Sequence, residues 1–147
     1  LPHIIASGLV NFVEQTDTAN EYMKLLAAGG FKDITRIASS SPTMWQHICL
    51  KNHKQISEIL DAYITGIQIN SVLGRLVANT KIDPGWNLTS LVGIFGATIA
   101  AGILYKLSRE QLINAIGIAS GEASGTKVNY GTMTKDLTVG RTAEKAY

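Results

Sequence analysis

The chain is poor in several things, and each shortage excludes something. It has one cysteine, Cys49, so no internal disulfide framework can form, and the chain suits a reducing compartment. It has no Cys/His cluster of zinc-site spacing. Only 16% of its 147 residues are charged, against about 25% in ordinary soluble domains, which points to a well-buried or oligomeric protein. The net charge is +2 and no basic run occurs, so binding to nucleic acid through phosphate contacts is not expected. Alternating Val/Thr-rich runs are few, which argues against an all-β fold. There is no Gly-x-Gly-x-x-Gly, the loop that cradles a dinucleotide.

What is present is helical periodicity, in enough chain for one ordinary domain or two small units. Pro2 suits a first helical turn, and Ile4, Ile5, Leu9, Phe12 and Val13 follow at helical spacing. Thr18 to Glu21 reads as a capping box, and Gly29-Gly30 as the end of the helix it opens. Phe31 to Ala38 reads as a short helix. Ser41 and Pro42 form a cap and first turn for a restart. Apolar residues from Ile56 to Val77 recur every three or four positions, so a helix of roughly 38 Å is expected over 54–78. Residues 81–85 read as a turn, Leu88 to Tyr105 as an uncharged helix, and Ser108 with Gln111 as a capping box. Residues 121–140 read as loop, and Arg141 to Tyr147 as a terminal helix.

Two features bear on location. The stretch Leu1 to Val13 has no basic segment and no small-residue cleavage site, so it is not read as a signal peptide. The start at Leu1 rather than Met points to a processed or engineered product, or a piece of a longer reading frame. Residues 84–105 carry no charge and have the length of a membrane span. Asn87, Thr89, Ser90 and Thr98, with several glycines and alanines, dilute their hydrophobicity, so a buried helix is the preferred reading. The chain is expected to be cytoplasmic.

The run from Ala28 to Trp45, AGGFKDITRIASSSPTMW, together with Leu1-Pro2-His3-Ile4-Ile5-Ala6, closely resembles the helical dimerisation domain of prephenate dehydrogenase. The resemblance covers residues 1–64. It implies that His3, Arg36 and Trp45 line a prephenate pocket, with Arg36 holding a carboxylate. The residue types suit that task. Arg offers a planar fork to a carboxylate, His donates a hydrogen bond or titrates, and Trp walls a ring-sized pocket while offering an indole donor. Taken alone, Arg36 three residues after Asp33 has the spacing of a surface ion pair, and Trp45 would be core. The resemblance further implies that NAD belongs to a nucleotide-binding domain outside these residues. No nicotinamide, flavin or metal is expected in this chain, and the segment by itself should not oxidise prephenate.

From residue 65 to 147 the resemblance changes. Gly85-Trp86-Asn87-Leu88-Thr89-Ser90, Gly93 to Ala97, Leu112 to Ala119, and Gly131 to Lys135 with Val139-Gly140-Arg141 resemble the MmgE/PrpD family. That family includes 2-methylcitrate dehydratase, cis-aconitate decarboxylase and iminodisuccinate epimerase. The resemblance implies a catalytic role for Lys135, in a loop, and a carboxylate-binding role for Arg141 in the next helix. Two imidazoles usual in the family are absent: Thr138 ends the run where Lys-Pro-Leu-His is common, and Asn87 stands where a His is common.

The expectation is therefore an all-α helical bundle, with a long helix running through a junction at 64/65. It has the look of a chimera of two enzyme fragments, leaving open a natural fusion, a recombinant and an assembly error. The leading functional expectation is the substrate-binding and dimerisation part of a prephenate dehydrogenase-like protein of tyrosine biosynthesis. The alternatives are a polycarboxylate lyase, decarboxylase or epimerase fragment, and a non-catalytic assembly module. Expected partners are a small carboxylate-bearing metabolite and a second copy of the chain, with neither nucleic acid nor membrane.

Overall fold

The charge-poor, periodic sequence folds as helices. The computed structural model describes residues 1–17, 23, 29–80 and 85–147. Among these there are seven α-helices and no strand: α1 (Pro2–Thr16), α2 (Gly29–Thr35), α3 (Pro42–Lys51), α4 (His53–Ala78), α5 (Leu88–Leu104), α6 (Arg109–Glu122) and α7 (Thr134–Lys145). Short 3-10 turns occupy Arg36–Ser39 and Lys127–Asn129. The all-α expectation holds. The expected capping box at residues 18–21 and the turn at 81–84 lie outside the described residues.

The caps explain where several helices begin. Pro2 occupies the first turn of α1, where its missing N–H costs nothing. The Ser41 side chain accepts from the Met44 N–H at the start of α3. Ser108 and Gln111 form the reciprocal pair that opens α6, at 3.2 and 2.8 Å. At the other end of α5 the Leu107 N–H donates to the Gly102 carbonyl and the Lys106 N–H to that of Ile103, both at 3.0 Å. This double closure needs a left-handed residue at its hinge, and Lys106 supplies it at φ 54°.

Three expectations need correction. Gly29 and Gly30 are the first residues of α2 rather than the end of a helix. Helix α7 starts at Thr134, inside the stretch read as loop. Consequently Lys135 sits in a first helical turn, on the same helix as Arg141. The composition of 131–134 hides this start, because Gly, Thr and Met carry no apolar period.

The chain divides into two compact units, Leu1–Ser57 and Glu58–Tyr147. The division falls within α4, upstream of the expected junction. In the first unit α1 packs against α2 and against the 3-10 turn that Arg36 opens. In the second unit α5 is the central element, packed on α6 and α7. It buries Ser90, Val92, Ile94, Gly96, Thr98 and Gly102. Its approach to α4 is backbone to backbone: a methyl group on Gly66 would stand 2.6 Å from the Gly96 carbonyl oxygen. Next to that contact the Gly96 N–H donates to Asn70 Oδ1 at 3.0 Å.

The segment before α7 is tied to the start of α5. The Asn87 N–H donates to the Gly125 carbonyl at 3.1 Å, and the Lys127 N–H to that of Gly85 at 2.7 Å. Gly125 has φ +131°, and a Cβ there would come within 2.7 Å of the Ser90 Cβ. Only glycine meets both demands.

Candidate functional site

In the first unit two expected site residues meet. His3 and Ala6 are the buried residues of α1, three apart and so on one helical face. Trp45 is the fourth residue of α3. The His3 ring lies flat on the Trp45 indole, with centroids 3.8 Å apart and planes within 10°. His3 is 8% exposed. His3 Nδ1 and Trp45 Nε1 are both buried without a hydrogen-bond partner. A buried polar atom left unpaired costs about 1–3 kcal/mol, so two on one stacked pair are a stability defect unless a ligand supplies what they lack.

Arg36 opens the 3-10 turn against which α1 packs. It is exposed. The surface pair with Asp33 that its spacing suggests is not formed, since the ion pair seen among the described residues is Lys145–Glu122 at 2.6 Å. Arg36 therefore remains a cation free to meet an anion. The elements that carry it and His3 adjoin, but no contact joins Arg36 to the stacked rings.

The second unit treats its two expected residues differently. Lys135 is exposed, with Nζ 5.3 Å above the Tyr130 ring, a cation–π arrangement. With Asn87, Thr89, Tyr130, Asp136 and Val139 it lines a cavity of about 460 Å³. Arg141 is exposed on α7 and does not line that cavity. Six residues along a helix turn through about 600°, which sends the two side chains to different faces. The Asn87 side chain is committed to capping α5, accepting from the Thr89 N–H at 3.1 Å.

Reading the sequence missed Tyr130, Thr89 and Asp136 as neighbours of Lys135. Asp136 was adjacent in sequence, but nothing in the spacing indicated that the start of α5 would come beside the start of α7. Among the described residues no three His, Cys, Asp or Glu side chains gather as a metal site would require. No helix among them is long and apolar enough to cross a membrane.

Helices alone, with a buried, stacked His–Trp pair near the start of the chain, define an all-helical domain. The chain belongs to the prephenate dehydrogenase dimerization-domain family, whose model matches residues 1–91. It is 47% identical over 66 residues to the prephenate dehydrogenase of Bacillus subtilis (strain 168), covering 45% of this chain and 18% of that protein. It is 35% identical over 69 residues to the cyclohexadienyl dehydrogenase of Zymomonas mobilis, covering 46% and 24%. Against the prephenate dehydrogenase of Lactococcus lactis subsp. cremoris the identity is 49% over 53 residues, covering 35% and 14%. The chain thus spans less than a quarter of the length of these curated relatives. No solved structure is detectably similar.

Proposed function

We propose that residues 1–64 act as the substrate-binding and dimerisation part of a prephenate dehydrogenase-like protein, working in the cytoplasm in tyrosine biosynthesis. The observation that carries this reading is the His3–Trp45 stack with its two buried, unpartnered ring nitrogens. Prephenate, a ring bearing two carboxylates, offers acceptors to both groups, and Arg36 supplies a charged fork for one carboxylate. The 147 residues contain no dinucleotide loop. Hydride transfer on this reading needs an NAD-binding unit outside them, and the chain alone binds prephenate without oxidising it. The test is a calorimetric titration of the chain with prephenate. Arg36→Ala should weaken binding at least tenfold, and unchanged affinity would sink the assignment. A homodimer is part of the same reading, and a purely monomeric mass at micromolar concentration would remove it.

A second reading has its own support in the cavity lined by Lys135. On it residues 65–147 are an MmgE/PrpD-type fragment, joined to the first as a chimera. Lys135 moves a proton beside a carboxylate, and Arg141 holds an acid group. Incubation with 2-methylcitrate or cis-aconitate, with Lys135→Ala as control, decides it: turnover that survives the substitution excludes the role. Absence of both prephenate binding and turnover would leave an all-α assembly module.

A further inference from the structure

The Lys135 cavity does not stand alone. A second cavity of the same unit, about 480 Å³, is walled by Ile67, Leu88, Val92, Gly93 and Ala97 among others. Thr89 and Val139 line both cavities, so the two adjoin there with unlike linings, and a ligand extended past these side chains would occupy both as one groove. Each is within the roughly 300–1,000 Å³ range of small-molecule pockets.

The end walled by Val92, Gly93 and Ala97 is more apolar than its residue types suggest. Asn70 Oδ1 is taken by the Gly96 N–H. The Ser71 hydroxyl donates to the Ile67 carbonyl at 2.8 Å, and that of Thr142 to the Thr138 carbonyl at 3.0 Å. These oxygens are engaged by their own backbone and neighbours, so most of the surface left to a ligand is methyl and methylene. The other end carries charge. Lys135 has no carboxylate partner among the described residues. Asp136 lies in the first turn of α7, where the helix dipole offsets its charge. Lys135 and Asp136 both line that end, and the group it offers an anion is the Lys135 ammonium.

We propose that this groove binds a small aliphatic monocarboxylate, its head at Lys135 and its hydrocarbon body along Val92, Gly93 and Ala97. A polycarboxylate fits poorly, because its further carboxylates would be desolvated against apolar wall with nothing to pair them. The proposal shares Lys135 with the second reading above but does not depend on catalysis.

The experiment is calorimetric titration of the chain with butanoate, hexanoate and octanoate, with 1-octanol and tricarballylate as controls. Each buried methylene contributes about 0.8 kcal/mol, so affinity should rise about three- to fourfold per methylene. Lys135→Ala should weaken octanoate at least tenfold and leave 1-octanol unchanged. Gly93→Ala should weaken octanoate while the chain stays folded, since its new methyl meets only the Thr142 methyl at 3.7 Å. Affinity independent of chain length, octanoate binding untouched by Lys135→Ala, or displacement of octanoate by tricarballylate at lower concentration would each overturn the proposal. Octanoate binding without cis-aconitate turnover keeps this site and removes the lyase reading.

Discussion

The two units bury different kinds of residue. Among the described residues the first unit buries only His3 and Ala6, neither a large apolar side chain. It leaves Phe12 58%, Ile34 57% and Leu50 65% exposed. The second unit buries Ile94, Val92, Ala62 and Ala119, and brings α4 and α5 into backbone contact. Both units leave large apolar groups outside, Val128 at 83% and Met133 at 91% in the second, and both hold buried polar atoms without a partner, Ser90 Oγ and Thr98 Oγ1 in the second; what the second adds is a packed helix crossing. The difference teaches that the first unit is centred on a ring stack, His3 on Trp45, rather than on buried aliphatic side chains. The second can be judged by its own packing.

The largest expected effect breaks the second unit at its crossing. Gly66→Ala drives a methyl into the Gly96 carbonyl, contact that neither backbone can relieve cheaply. It should lower stability by about 3 kcal/mol, read by urea unfolding. Gly93→Ala, one turn from Gly96 and with only an ordinary van der Waals contact at its Cβ, the Thr142 methyl at 3.7 Å, should instead gain about 0.5–1 kcal/mol. A similar loss at both glycines would mean that the crossing is not what holds the unit.

The first unit should respond with the opposite sign to loss of a buried group. His3→Leu removes a buried nitrogen that has no partner, so stability should rise by about 1 kcal/mol, while prephenate affinity falls at least tenfold. Lower stability with intact affinity would make His3 a packing residue, and the contrast between the units would blur.

The smallest effect is electrostatic. The Tyr105 hydroxyl is held above its ordinary value near 10 by a hydrogen bond with Tyr147, with burial and the neighbouring phenolate adding to it. The rings are 5.7 Å apart. Because the folded pKa is raised, this contact is intact below pH 10 and is lost as pH rises through the folded value. Tyr147→Phe should bring the Tyr105 titration down toward its ordinary position, followed by phenolate absorbance.

Much of this was legible in local chemistry. Pro2, the Ser41–Pro42 restart, the Ser108–Gln111 box and the long helix 54–78 all follow from residues within a few positions of one another. The failures share a cause. Gly29-Gly30 suits a helix start as well as a stop, and the start of α7 is set by packing against α5 rather than by any apolar period of its own. The site divides along the same line. The stack of His3 on Trp45 joins residues far apart in sequence, and only resemblance to a family brought them together. The groove beside Lys135 rests on three helices and on which polar groups are already spent, neither of which spacing reveals.

The crossing of Gly66, Asn70 and Gly96 also limits how this chain can be cut and rejoined. Gly66 and Asn70 form one half of a matched surface, and Gly96 with its N–H forms the other. A segment exchange whose boundary lies before Gly66 carries both halves together from one parent. A boundary between Asn70 and Gly96 pairs halves of different ancestry, and any residue larger than glycine arriving at either position leaves the hybrid unable to close. Libraries made by shuffling this chain with its relatives should therefore return folded members with breakpoints concentrated upstream of Gly66 and depleted across the interval up to Gly96.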